Sequence, residues 1–152
     1  MSSLSRRDAM GVTAAAVAAL SLKALAEPKK TDAPPPKEAT PSQARRAVTD
    51  AAERCASAGR DCLHHCVTLL SAGDKSLAEC TATIRQMIPA CDALGELARQ
   101  ASAHLAEFAA VCARICRDCE TVCQKHAAHH LECKACMDAC HACAAECDKV
   151  HA

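Results

Sequence analysis

Cysteines recur at helical spacing in the stretch CARICRDCETVCQKH, residues 112–126, which closes with a histidine. At about 100° per residue, Cys112, Cys116, Cys119 and Cys123 fall on one helix stripe about 60° wide, with His126 beside it. Clustered thiols bind soft metal ions, form disulfides or take part in redox reactions. The spacing therefore predicts sulfur chemistry on one face of a helix, and the rest of the chain must decide which kind.

The composition shows that sulfur supplies much of the interior. Of 152 residues, 14 are cysteine, one is phenylalanine and none is tryptophan or tyrosine. Buried cysteine packs as a small apolar side chain, but this role accounts comfortably for only one or two such residues. A cysteine share this high is typical of a scaffold built on sulfur.

Similar stripes appear in three further helical patterns, so all the cysteines are predicted to face inward. Two histidines, His65 and His126, are added as candidate ligands or relays because an up-down helix bundle would bring them to the same end. The candidate cysteine ligands are Cys55, Cys62, Cys66, Cys80, Cys91, Cys112, Cys116, Cys119, Cys123, Cys133, Cys136, Cys140, Cys143 and Cys147.

Four long helices with short connections are predicted to position these residues. Helix A ends at Gly73, helix B begins with a capping box from Ser76 to Glu79 and has a kink at Pro89, and only Ser102 marks the break before helix C. Short connections make antiparallel neighbours, which predicts an all-α, antiparallel up-down four-helix bundle with a cysteine-lined core. The predicted ranges are 42–71, 76–100, 102–127 and 130–151.

The N-terminal region is interpreted as an export signal followed by a linker. Residues 1–26 hold the pair Arg6-Arg7, an Ala-rich apolar run and the cleavage signature Ala24-Leu25-Ala26, which are typical of a twin-arginine signal peptide. The apolar run is shorter than the roughly 20 residues of a membrane span. Residues 27–41 are proline-rich and predicted to be a linker, and residues 42–152 form the bundle. We expect an exported, periplasmic protein without a stable membrane span.

Charge and cysteine context exclude two classes of function. The formal net charge is +0 and there is no basic block, so a nucleic-acid partner is not expected. A reactive cysteine needs its own electropositive, partly exposed environment, and no cysteine here is set apart in that way. The chain is therefore not predicted to be an enzyme.

Metal binding fits the spacing better than disulfide bonding. Cysteines three or four residues apart on a helix have Cβ atoms about 5–6 Å apart, whereas a disulfide requires about 3.8 Å. Thiolates at that separation can hold a soft ion between them. A monovalent Cu(I) ion for each thiolate brings the buried charge close to zero, so about one Cu(I) per cysteine is predicted.

Two alternatives stay open at this stage: a zinc-stabilised structural bundle and a thiol redox or disulfide protein. The pairs Cys116-Arg-Asp-Cys119 and Cys133-Lys-Ala-Cys136 have the spacing of a zinc site, although here they lie inside helical ladders. Ferredoxin spacings and a βαβ pattern around a CxxC pair are absent from the sequence. Metal stoichiometry separates these alternatives from copper storage.

Three segments resemble the bacterial copper storage proteins. They are Cys62-Leu-His-His-Cys66, Val111-Cys-Ala-Arg-Ile-Cys-Arg-Asp-Cys-Glu120 and Glu132-Cys-Lys-Ala-Cys-Met-Asp-Ala-Cys-His-Ala-Cys-Ala-Ala-Glu-Cys147. The resemblance implies a four-helix bundle, commonly a homotetramer, whose core cysteines store many Cu(I) ions. Copper-dependent enzymes or copper chaperones are the protein partners that such a store would serve.

The two ends of the predicted bundle differ in character. The resemblance makes His65 the counterpart of a family histidine near the open end, but the methionines common there are missing from Val67 to Ser71. We therefore expect copper to enter and leave at a histidine end comprising His64, His65, His126, His129 and His130. The opposite end is predicted to be an apolar plug of Val48, Leu97, Leu105, Phe108 and Val150.

Overall fold

Four α-helices make up most of the chain that the computed structural model describes, residues 40–151. They are α1 Pro41–Ser71, α2 Ala78–Arg99, α3 Leu105–Gln124 and α4 Leu131–His151, with a short 3-10 helix Lys75–Leu77 before α2. The predicted signal peptide and residues 27–39 of the predicted linker lie outside the described residues, so both stay predictions.

The helices form the predicted bundle. Helix α1 packs against α2 and α4, and α3 packs against the same two, so each helix neighbours those that adjoin it in sequence and α4 closes the ring on α1. Short connections reverse the chain direction at each step. The all-α, up-down four-helix prediction is confirmed.

The core lies along the axis between the four helices. Every cysteine is buried, and none of the buried side chains in residues 40–150 is charged. Alanines fill much of the space beside the sulfurs, which lets the helices approach closely, and Ile84, Met87 and Leu94 supply the bulk on α2. At the end away from the histidines, Val48 and Leu105 are buried, and the other three predicted plug residues pack partly buried against the core.

Helix α1 begins one residue earlier than predicted, at a capping box that the sequence reading placed in the linker. The Thr40 hydroxyl accepts a hydrogen bond from the Gln43 backbone N–H, and the Gln43 side chain accepts one from the Thr40 N–H at 2.9 Å. Pro41 occupies the first turn, where no intrahelical partner for an N–H is needed.

The predicted end of helix A is confirmed. Gly73 has φ 98°, and the backbone N–H groups of Gly73 and Asp74 donate to the carbonyls of Leu70 and Leu69, each at 3.0 Å. This is a Schellman motif, in which glycine adopts the left-handed conformation without a steric penalty.

The predicted capping box from Ser76 to Glu79 is wrong. Asp74 takes the capping role, because its carboxylate accepts the Ser76 N–H at 2.9 Å and so starts the 3-10 helix. The carboxylate of Glu79 instead accepts a hydrogen bond at 2.9 Å from Nζ of Lys125, the residue that follows α3. A charged partner at the end of a neighbouring helix has replaced the local backbone partner.

The break between α2 and α3 is a second Schellman motif, built without glycine. Ala101 has φ 50°, its N–H donates to Ala98 O, and the Ser102 N–H donates to Leu97 O at 3.0 Å. Helix α3 accordingly begins at Leu105 rather than at the predicted Ser102. Helix α2 continues through Pro89.

The bundle surface is charged, with ion pairs between neighbouring helices. Arg60 pairs with Asp92 at 2.7 Å, Arg99 with Glu53 and Arg117 with Asp148. Exposed pairs of this kind each contribute about 0–1 kcal/mol, so they favour the register of the helices more than their stability. Within residues 40–151 no helix is both long and apolar enough to span a membrane.

Candidate metal centre

The sulfur positions follow directly from the helical ladders. Spacings of three, four and seven residues place successive cysteines on one face of each helix, and that face is the one that packs inward. The exposed fraction of every cysteine is 0–1%. All the cysteines proposed from the sequence are thus brought to the bundle axis, and each is present as a thiol.

The sulfurs form five clusters in which the Sγ atoms lie within 4.8 Å of one another. One cluster, here called the central cluster because all four helices contribute to it, consists of Cys55, Cys91, Cys116 and Cys143. The cluster nearest the histidines consists of Cys62, Cys66, Cys80 and Cys133. The remaining three clusters each have three members: Cys62, Cys123 and Cys136; Cys119, Cys136 and Cys140; and Cys112, Cys143 and Cys147.

These clusters are connected into a single path along the bundle. Three cysteines, Cys62, Cys136 and Cys143, each belong to two neighbouring clusters. Where the cluster of Cys140 meets the central cluster no cysteine is shared, but Cys140 Sγ lies 3.6 Å from Cys55 Sγ. The path therefore runs without interruption from the histidine end to Cys112 and Cys147 beside the apolar plug.

The distances between neighbouring thiols suit metal bridging. Closest Sγ pairs include Cys80 with Cys123 at 3.4 Å, Cys62 with Cys133 at 3.7 Å and Cys119 with Cys136 at 4.0 Å. A disulfide requires about 2.05 Å, whereas a soft ion between two sulfurs holds them farther apart.

The zinc site suggested by the two CxxC pairs does not form. Cys116 lies in the central cluster, Cys133 in the cluster nearest the histidines, and Cys119 and Cys136 in a third. Pairs three residues apart on a helix are separated along the axis by about 4.5 Å, so each member faces a different layer of the bundle. The ladders divide the pairs among several sites.

Burial favours the neutral form of the core thiols, whereas hydrogen bonds from neighbouring cysteines lower the pKa of Cys80, Cys116, Cys136 and Cys143. Burial, together with the neighbouring Cys80, raises the pKa of Cys133 to about 11. Hydrogen bonds with Cys112, Cys116 and Cys143 raise the pKa of Cys91 above its usual value. A metal ion that binds here must displace protons, and its positive charge replaces theirs.

At the histidine end, α1 meets the connection between α3 and α4. His65 Nε2 lies 2.9 Å from His130 Nδ1, and His65 Nδ1 lies 3.5 Å from a carboxylate oxygen of Glu132. The His126 ring centroid is 6.4 Å from that of His130, while His64 and His129 are exposed. His130 is part of the predicted histidine end but not of the predicted site, although its position just before α4 places it opposite His65.

Comparisons with known proteins agree with this geometry. Residues 41–152 match the family described as "Csp: Copper storage protein". The chain is 33% identical over 100 residues to the "Uncharacterized cysteine-rich protein YhjQ" of Bacillus subtilis (strain 168), a match covering 62% of this chain and 91% of that protein.

Two solved structures share the fold. Apo-CSP3 (copper storage protein 3) from Bacillus subtilis is 30% identical with a TM-score of 0.63, over 70% of this chain and 98% of that one. The structure titled "Cu(I)-bound Copper Storage Protein BsCsp3" is 29% identical with a TM-score of 0.64, over 72% of this chain and 100% of that one. With a match that spans the whole bundle and a core of clustered thiols, this chain belongs to the copper storage protein family.

Proposed function

We propose that this protein binds and stores many Cu(I) ions through the thiolates of its core cysteines. The observation that carries the proposal is the connected path of five clusters, which includes all 14 cysteines in a core without a charged side chain. A store needs capacity in a small volume, and shared sulfurs supply it because one thiolate can bridge two ions. The activity is storage and involves no chemical conversion of a substrate.

The net charge of the metal sites and the sharing of thiolates between clusters favour Cu(I) over zinc. Structural zinc takes four ligands in a closed tetrahedron, and four thiolates leave a net charge of about −2 at each site. Several such sites in this uncharged core would carry a large desolvation cost. Cu(I) is a soft monovalent ion that thiolates select, and about one per thiolate keeps the core near neutrality.

A thiol redox function has less support from the geometry. Redox-active cysteines are accessible and have a lowered thiol pKa in an electropositive site. Here the cysteines are 0–1% exposed, and burial raises the pKa of Cys133. The thiols are all buried to the same degree, which suits repeated binding sites.

An anaerobic titration of the reduced full chain with Cu(I), against a competing Cu(I) chelator, tests the storage function. We expect a sharp endpoint between about 10 and 16 ions per chain, close to one per thiol, with thiols counted in parallel. A parallel zinc titration serves as the control. An endpoint of about four ions or fewer for copper, or a tighter zinc complex at about three ions, would contradict copper storage.

We further propose that copper enters and leaves at the histidine end, with His65 and His126 as ligands or relays and His130 as the partner of His65. The support is the contact of His65 with His130 above the cluster of Cys62, Cys66, Cys80 and Cys133, together with the apolar plug at the other end.

Replacing His65 and His126 with alanine should slow Cu(I) uptake and removal by a chelator without lowering capacity. His104 and His141 are exposed on other faces, and H104A/H141A is the matched control. Unchanged rates in the first variant would refute this route.

Export through the twin-arginine route to the periplasm is proposed from the signal-like residues 1–26. Folding before export would hold the thiols apart in their helices and away from incorrect disulfides. Changing Arg6 and Arg7 to lysine should retain the protein in the cytoplasm, as measured by fractionation against a periplasmic marker. Export of that variant at the original level would argue against this signal.

Assembly and partners are proposed from the family resemblance. A homotetramer is the expected assembly, and light scattering on the full chain measures it directly. Copper-dependent enzymes or copper chaperones are the expected recipients, since a store must release its ions to proteins that use them. Transfer of Cu(I) to a purified chaperone at a rate above that of spontaneous dissociation would support this role.

A further inference from the structure

Met87 is the one methionine in residues 40–150 whose side chain is fully buried, with an exposed fraction of 0%. It lies on the inward face of α2, four residues before Cys91, and its thioether points into the path of thiols. The other methionine of the bundle, Met137, is only partly buried at the edge of the core.

The Met87 sulfur completes a group of three sulfurs. Met87 Sδ lies 3.4 Å from Cys55 Sγ and 3.6 Å from Cys91 Sγ. Those two Sγ atoms belong to the central cluster and are within 4.8 Å of each other. The three separations match those between thiols elsewhere in the path.

This group lies at the junction where neighbouring clusters share no cysteine. Cys55 is in contact with both Cys140 and Met87, at 3.6 and 3.4 Å. Helix α2 carries only two cysteines, Cys80 and Cys91, and Met87 faces the axis between them. A thioether here adds a second sulfur donor from α2, four residues before Cys91, in the stretch between the two cysteines of this helix.

Gly59 of α1 makes room for this arrangement. A Cβ atom at Gly59 would overlap the Met87 methyl group and lie 3.0 Å from Ile88 Cγ1. Gly59 has no positive φ to explain it, and the close approach of the Met87 methyl group is the contact that a side chain at this position would disturb. The contact holds the methyl group against α1 and leaves the sulfur facing Cys55 and Cys91.

A neutral donor also suits the charge of the site. Cu(I) with two thiolates and a thioether has a net charge of about −1, whereas three thiolates would give about −2 in a core without a compensating cation. Thioethers are soft ligands that accept Cu(I), and they carry no proton to be displaced.

We propose that Met87 Sδ is a Cu(I) ligand, completing a three-sulfur site with Cys55 and Cys91. The inference rests on the proposed storage function, because it adds a fifteenth sulfur donor to the cysteine path. Met87 then serves to bind copper at the junction between clusters, in addition to filling the core.

Selenium absorption spectroscopy on the selenomethionine-labelled full chain tests this ligand directly. In an M10L/M137L variant, selenium occupies only Met1 and Met87, so Se–Cu scattering reports on the bundle core. We expect Se–Cu scattering after loading with Cu(I) to about one ion per thiol, and none in the copper-free protein. Adding M87L, a substitution that roughly conserves side-chain volume, should abolish it.

A pair of glycine variants tests whether Gly59 positions the Met87 thioether. Gly59→Ala should reduce the Se–Cu signal because the added methyl displaces the Met87 thioether, while the cysteines are unchanged. Gly95→Ala is the matched control, since a Cβ there meets its nearest atoms at 3.6 Å or more. A full signal in G59A would overturn the positioning argument.

Copper content measured on the same samples separates this inference from the storage function. A chain that holds about one Cu(I) per thiol but shows no Se–Cu scattering overturns the Met87 ligand and leaves storage intact. Scattering that survives in M87L also overturns it. A chain that binds no copper overturns both proposals.

Discussion

The cysteines of this bundle differ in the number of clusters to which each belongs. Cys143 belongs to both the central cluster and the cluster with Cys112, whereas Cys147 belongs only to the latter. Both lie on α4 and both are 0% exposed. A thiolate shared between two clusters can bridge two ions, so its position in the path determines its contribution to capacity.

Replacing a shared cysteine should therefore cost more copper than replacing an unshared one. We expect Cys143→Ser to lower the Cu(I) capacity by about two ions and Cys147→Ser by about one, because serine oxygen is a poor ligand for a soft ion. The measurement is the endpoint of the anaerobic titration for each variant. Equal losses would mean that the clusters act as separate sites without bridging sulfurs.

The raised pKa of Cys133 predicts that the metal-free form loses stability at alkaline pH. Burial raises the pKa of Cys133 to about 11 from a reference of 9.0, so between these values the unfolded chain loses a proton that the folded chain keeps. At Cys133 the folded state then binds more protons, so the contribution of this thiol to the free energy of unfolding falls as pH rises from about 9 to 11.

Melting temperatures of reduced protein at several pH values check this prediction. The metal-free form should lose stability above about pH 9, while the copper-loaded form should change less, because its thiols have already given up their protons. A metal-free melting temperature that stays constant to pH 10.5 would show that the thiols are not protonated in the fold.

The helix ends show which helix boundaries can be predicted from local sequence and which cannot. Gly73 marks the end of α1 in the sequence because glycine alone adopts φ 98° without strain. Thr40 and Ala101 were missed, the first because it follows a proline-rich segment and the second because alanine rarely takes a positive φ. The backbone hydrogen bonds of the Ala101 and Ser102 N–H groups to Ala98 and Leu97 accompany that conformation.

Relieving this strain should stabilise the bundle. The left-handed conformation costs a residue with a Cβ about 1 kcal/mol or more, so Ala101→Gly should raise the free energy of unfolding by about 0.5–1 kcal/mol. Ala103→Gly, two residues away and without a positive φ, should lower it slightly. Urea unfolding of the reduced metal-free forms measures both, and destabilisation by A101G would contradict the strain argument.

At the scale of the whole molecule, copper and fold are thermodynamically linked. The core holds few large apolar side chains, and its sulfurs come together only when all four helices are packed. Cu(I) that binds this arrangement but not the unfolded chain adds to the stability of the fold.

The copper-loaded bundle should therefore melt well above the reduced metal-free form. The added stability for a single site is about 2.7 kcal/mol when free Cu(I) is 100 times its dissociation constant, and many sites add further. Anaerobic calorimetry of the two forms measures the shift, with zinc as a comparison ion. Equal melting temperatures would mean that the thiols are not the copper site.

Helix formation, the inward face of each helix and the presence of sulfur on those faces can be predicted from the sequence alone. These features follow from periodicity, since residues three and four apart share a helix face wherever the helix lies. Which sulfurs meet is set by the packing of the helices, which brings together Cys55 with Cys140, Cys80 with Cys123, and both Cys55 and Cys91 with Met87. Such contacts depend on the axial register and spacing of four helices, set by residues such as Gly59 whose effect appears only when a neighbouring helix is in place.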